Sequence, residues 1–174
     1  MARRDSEEFT SFVMAHQARL RRVAFLMCGD WSLASDHVQD ALVRVYRHWP
    51  RLRSDGEAHA YARKAVVSVV IDAKRRRSST EVPVGSVADR LDGDDAANRN
   101  ADRDLLGRCL AQVPPRQRAC LVLRYYDDLP VSEVAAALGC SEGTVKSQTA
   151  RGLETLQAAF ARETNDELLV SGRE

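Results

Sequence analysis

The segment LPVSEVAAALGCSEGTVKSQTARGLETL, Leu129 to Leu156, decides how the rest of the chain is read. Val131, Val134, Ala135 and Leu138 fall at helical spacing and give a first helix with one apolar face. Gly139 follows at once, where a helix end favours a residue that tolerates positive φ. Ser141 then stands where its hydroxyl accepts from the free N–H groups of a second helix. In that helix Val145, Thr149, Gly152, Leu153 and Leu156 face inward. Lys146, Ser147, Gln148 and Arg151 fall on the outer face.

Two short helices, a small residue (Ala135) where they cross, a turn glycine and an inward valine make a helix-turn-helix. A second helix with short polar and cationic side chains suits the major groove, whose base edges offer donors and acceptors. An αα-hairpin inside a bundle has the same outline, but the register of these residues favours DNA binding.

The 174 residues suffice for one medium domain or two small ones, and 44% apolar with 29% charged residues is ordinary for a globular protein. The net charge of +1 is low for a protein that grips DNA unaided, yet the charge is uneven. Between Arg44 and Arg77 stand ten Lys or Arg and three Asp or Glu, a concentration able to hold phosphates. Cys28, Cys109, Cys120 and Cys140 lie far apart with no CxxC pair and read as reduced, packed thiols. His16, His37, His48 and His59 show no ligand spacing, so neither a metal nor a cofactor is expected. No run reaches transmembrane length, and MARRDSEEF lacks the apolar core of a signal peptide, so a cytoplasmic protein without membrane insertion is expected.

Ahead of the helix-turn-helix the pattern is helical almost throughout. Asp5 and Glu8 open a first helix, and Phe9, Phe12, Val13, Leu20, Val23, Ala24 and Met27 repeat along it to about Cys28. A second helix follows Ser32, with Leu33, Val38, Leu42, Val45, Tyr46 and Trp49 inward, ending at Pro50. Asp36, Gln39 and Asp40 form an acidic outer face. Ser54 and Glu57 cap a third helix to about Arg77. Its VVSVVI run also fits a strand, but a lone strand would have no partner here. Residues 78–100 are rich in small and acidic residues and hold no period, as in a flexible linker. Helical pattern resumes near Ala101, stops at Pro114-Pro115, and continues from Arg116 to Tyr126, with Arg118 and Arg124 available to phosphate. Asp127-Asp128 ends that helix, and 163–174 reads as a frayed tail. The expectation is an all-α chain of two small helical domains, 1–77 and 101–162, joined by the linker.

These features resemble the extracytoplasmic-function sigma factors, the small two-domain group of the sigma-70 family, over about Phe9 to Phe160. LAQVPPRQRACLVLRYYDDLPVSEVAAALGCSEGTVKSQTARGLETL is similar to region 4. GTVKSQTARGL within it is similar to the sigma-E-like branch of actinobacteria. DHVQDALVRVYRHW resembles region 2.2, and VVIDAKRRR resembles region 2.4. The resemblance implies a non-enzymatic factor that binds core RNA polymerase and directs initiation at promoter DNA, with no small-molecule substrate. Asp36, Gln39 and Asp40 would meet the clamp helices of the largest polymerase subunit. His48, Leu52, Tyr61 and Ser68 would hold a base flipped from the −10 element, with Arg63 and Lys64 on the nearby backbone; extrusion of a base costs a few kcal/mol. Arg118, Arg124, Ser141, Thr144, Lys146, Ser147, Gln148 and Arg151 would serve the −35 element. The C-terminal domain would also meet the polymerase flap, and an anti-sigma factor is a partner that many members have. Tyr61 stands where the family usually has Trp, Ser68 where many have Asn, and Gln148 where many have Arg. Gln favours adenine where Arg favours guanine, so a −35 sequence does not transfer from other branches. Without the resemblance, the residues also fit a stand-alone helix-turn-helix transcriptional regulator that binds an operator as a dimer.

Overall fold

The computed structural model describes residues 6–79 and 97–171. Among these, all regular structure is helical: α1 (Ser6–Cys28), α2 (Trp31–His48), a 3₁₀ turn (Trp49–Arg51), α3 (Asp55–Ser79), α4 (Ala97–Ala111), α5 (Pro115–Leu121), a π-helical turn (Val122–Tyr126), α6 (Val131–Leu138) and α7 (Glu142–Ser171). The expected linker falls mostly on 80–96, and Asp5 also lies outside the described residues.

The helix ends follow from local chemistry. Gly29 at φ +80° closes α1. The Asp30 carboxylate then accepts from the Leu33 N–H at 2.8 Å, so α2 starts at Trp31, a turn residue earlier than Ser32 suggests. At the start of α3 the Ser54 hydroxyl accepts from the Glu57 N–H, and the Glu57 carboxylate reaches back to the Arg53 N–H, a reciprocal cap. Pro115 occupies the first turn of α5, where its missing N–H costs nothing.

In the N-terminal half, α1, α2 and α3 pack on one another around Leu20, Val23, Met27, Val38, Val45, Trp49 and Val66. Phe9 and Phe12 set their rings 5.2 and 5.1 Å from that of Trp49, which locks the start of α1 onto the end of α2. Tyr46, expected inward, is 53% exposed; Ala34 and Ala41 take the buried positions on α2 because small side chains allow close crossing.

The run Val66–Ile71 is helical, and Val66, Val67, Val69 and Val70 are all buried. A helix apolar on every side must be covered on every side. Here α1 and α2 cover one part of α3, and α5 and α6 of the C-terminal half cover another. Buried side chains from both halves, among them Val38, Val66, Leu123, Val134 and Val145, form one continuous apolar cluster.

In the C-terminal half, α7 packs on α4, α5 and α6. At one crossing a Cβ on Gly152 would stand 3.1 Å from Leu121 Cγ and 3.3 Å from Gln117 Cβ, so only glycine allows that approach unchanged. Arg108 Nε and Gln112 Nε2 donate to the Glu163 carboxylate at 2.7 and 3.2 Å and tie α4 to α7. Backbone helix continues to Ser171, past the point where polar composition suggests fraying.

Candidate nucleic-acid and polymerase interface

The helix-turn-helix forms as its residues demand. Gly139 takes φ +63° and ψ +42° at the end of α6, a left-handed conformation that costs a residue with Cβ about 1–2 kcal/mol. The Cys140 N–H donates to the Ala135 carbonyl at 3.1 Å and closes the turn. Ser141 Oγ accepts from the Thr144 N–H at 3.1 Å and caps α7. Lys146, Ser147 and Arg151 are exposed; Thr144 and Gln148 are half-buried. The last two line a cavity of about 20 Å³ shared with Arg116, Cys120, Leu138, Cys140 and, from the N-terminal half, Ile71.

Arg124 is half-buried and its guanidinium donates to the Leu129 carbonyl at 2.6 Å, bracing the loop before α6. Arg118, expected to be available to phosphate, is only 4% exposed. Its Nη1 donates to the Met27 carbonyl at 3.1 Å, and its Nη2 to those of Ala111 and Val113 at 2.7 and 3.0 Å. Burial lowers its pKa to about 10 and the nearby Cys28 thiol opposes that shift, so the guanidinium stays charged at neutral pH. In this arrangement Arg118 links α1 to the C-terminal half and is almost closed off from solvent. Its periodicity places it off the apolar stripe, but the Met27 carbonyl it serves belongs to α1, 91 positions away, which local sequence does not bring near it.

In the N-terminal half, His48 Nδ1 lies 2.9 Å from the Tyr61 hydroxyl, with the rings 5.0 Å apart. The same nitrogen lies 3.1 Å from the Arg44 carbonyl, so the tautomer decides which contact it makes. Leu52 packs against the core, Lys64 is exposed and Ser68 is half-buried. Tyr61, Lys64 and Ser68, at i, i+3 and i+7, share one side of α3.

Arg63 faces elsewhere. It is 9% exposed, and its Nε lies 2.5 Å from Asp127 Oδ2. The N–H is not aligned on that oxygen, so the contact is ionic rather than a directed hydrogen bond. Its Nη1 lies 3.6 Å from Glu133 Oε2, and its Nη2 donates to His59 Nδ1 at 3.2 Å. Thus Arg63 and Lys64, expected side by side on a DNA backbone, are separated.

Asp36, Gln39 and Asp40 are exposed on α2, and Val43, 52% exposed, continues the same side one turn on. Among the described residues no group of His, Cys, Asp or Glu could hold a metal ion, and no helix is long and apolar enough to cross a membrane.

The sequence matches the families Sigma-70 region 2, over residues 12–80, and Sigma-70 region 4, over residues 103–156. It is 37% identical to the RNA polymerase sigma-E factor of Streptomyces avermitilis, covering 90% of this chain and 87% of that one. It is 33% identical to the ECF RNA polymerase sigma factor SigL of Mycobacterium tuberculosis, covering 76% and 77%. The fold is similar to the sigma factor RpoE crystallised with the anti-sigma factor NepR from Bartonella quintana, with a TM-score of 0.68 at 20% identity, covering 89% of this chain and 98% of that one. These matches favour a sigma factor over a stand-alone regulator. The chain belongs to the sigma-70 family, in its extracytoplasmic-function group.

Proposed function

We propose that the chain divides promoter recognition between its two halves once core RNA polymerase holds them. The outer side of α2 docks on the polymerase clamp helices through Asp36, Gln39 and Asp40, and the C-terminal half meets the flap. His48, Leu52, Tyr61 and Ser68 form the −10 base pocket, with Lys64 and, once freed, Arg63 on the strand beside it. Lys146, Ser147, Gln148 and Arg151 enter the −35 major groove, and Ser141 and Thr144 hold phosphate at the start of α7. Arg124 acts there indirectly, by bracing the loop before α6. Arg118 reaches phosphate only if the two halves part.

One observation carries this reading. The exposed residues Lys146, Ser147 and Arg151 project from the first three turns of a long helix whose start is set by a left-handed glycine and a serine cap. That is the placement a groove-reading helix needs.

The test is reconstitution. Purified chain is mixed with core polymerase and promoter DNA, and initiation is measured with and without it. Promoter-specific transcripts that require the chain are expected. Tight operator binding by the free chain as a dimer, with no effect on polymerase, would overturn the assignment.

A further inference from the structure

Cys120 and Cys140 stand twenty positions apart in sequence and line one small cavity. Cys120 belongs to α5 and is 1% exposed; Cys140 sits in the turn between α6 and α7 and is half-buried. The cavity, about 20 Å³, has room for about one water molecule, so little separates its walls. Arg116 stands at the same cavity, and a cation beside a thiol favours the thiolate that reacts. Burial first, and Cys140 next, push the Cys120 thiol up to about 11. It therefore stays protonated, and the more accessible Cys140 meets an oxidant first. The other two cysteines are placed differently. Cys28 donates its thiol hydrogen to the Asp30 carbonyl at 3.3 Å, Cys109 is fully buried, and neither lines this cavity.

We propose that Cys120 and Cys140 are a redox pair: a peroxide joins them as a disulfide, and a dithiol reductant releases them. The Cys140 sulfur attacks one peroxide oxygen. The O–O bond breaks, a sulfenic acid forms, and the other oxygen leaves as water with the thiol proton. Cys120 then attacks the sulfenic sulfur. The S–S bond forms, the S–O bond breaks, and the hydroxyl leaves as a second water with the Cys120 proton. In sum the two thiols lose two electrons and two protons, and one hydrogen peroxide becomes two waters. The bond ties the turn to α5. Cys140 lies directly after the left-handed Gly139 and before the capping Ser141, and Thr144 and Gln148 line the same cavity. Drawing the turn onto α5 shifts the first turns of α7 and so lowers −35-dependent initiation, a consequence that rests on the −35 role proposed above.

The test uses the full chain, treated with hydrogen peroxide and then with catalase before core polymerase is added. Trypsin, cutting after Arg118, Arg124 and Lys146, places the two cysteines in peptides 119–124 and 125–146. Mass spectrometry of treated, alkylated wild type should show these two peptides joined, and dithiothreitol should part them. Initiation from a −35-dependent promoter should fall by about 5-fold or more, the least that loss of one good base contact gives, and dithiothreitol should restore it. Cys140→Ser should keep full initiation after the same treatment; if circular dichroism shows that variant unfolded, Cys120→Ala takes its place. Peptides that stay unlinked, or that link to those of Cys28 or Cys109 instead, overturn the pair. Linkage with unchanged initiation, or an equal fall in the serine variant, overturns its control of −35 recognition. A wrong functional assignment would show separately, as untreated wild type that supports no promoter-specific initiation although the two peptides still join.

Discussion

His48 and Tyr61 face each other across α2 and α3, ring nitrogen to hydroxyl at 2.9 Å. The contact couples the end of one helix to the exposed side of the next, at the rim of the proposed −10 pocket. Tyr61→Phe keeps the ring and removes the hydroxyl. A single neutral hydrogen bond contributes about 0.5–1.5 kcal/mol. Open-complex formation, followed by permanganate reactivity of the melted strand, should fall by about 2- to 12-fold on that basis, with core binding unchanged.

Arg151 is exposed on the side of α7 that is proposed to enter the groove. Arg151→Ala should reduce initiation from promoters that need the −35 element by about 5- to 150-fold, the range for loss of a good base contact. Affinity for core polymerase, measured by fluorescence anisotropy, should not change. Loss of core binding in this variant would contradict the division of roles between the halves.

Gly139 adopts φ +63° with open space around the position a Cβ would take. The cost of substitution is therefore backbone strain alone. Gly139→Ala should lower unfolding stability in urea by about 1–2 kcal/mol, whereas Gly139→Asn should lose less, since asparagine tolerates the left-handed region.

Lys74 makes the junction pH-dependent. Burial, and next the Arg118 guanidinium, bring its pKa down to about 8 from 10.5, with Cys28 opposing and Arg77 adding to the effect. Below pH 8 the lysine is charged in both folded and unfolded chains, and the folded state bears the full cost of burying it. Between about 8 and 10.5 the folded chain releases the proton first, so stability rises with pH. Lys74→Met should accordingly be more stable than wild type at pH 7. The difference should shrink by less than about 1.4 kcal/mol per pH unit as pH rises above 8. Paired urea titrations at pH 7, 8 and 9 measure it; a difference that stays constant would show that the lysine is not desolvated.

The parts of the molecule that local pattern governs were legible. Gly139, Ser141, Ser54 with Glu57, and Pro115 each mark a helix end through the geometry of one residue, and each does so in the structure. The β-branched run on α3 was ambiguous for a physical reason. A helix covered by neighbours on several sides loses the period that distinguishes it from a strand, and the neighbours include α5 and α6 from the other half. Tyr46 was misplaced because an aromatic ring at core spacing can lie over Phe9 and still remain half in solvent. Asp127 was read as a helix stop. Its pairing with Arg19 and Arg63 spans 108 and 64 positions, and no local signal separates it from the exposed Asp128 beside it.

The length of α7 has a mechanical consequence. At thirty residues it measures about 45 Å, with the side chains proposed to read the groove all near one end. Gly152 presses its middle against Leu121, and Glu163 ties its far portion to Arg108 and Gln112. If α7 enters the groove as proposed, a rod braced at two points behind its tip would meet the double helix at a set angle. Little ordering remains for that encounter, so a shift of the brace at α4 would re-aim the tip without altering any side chain that touches a base.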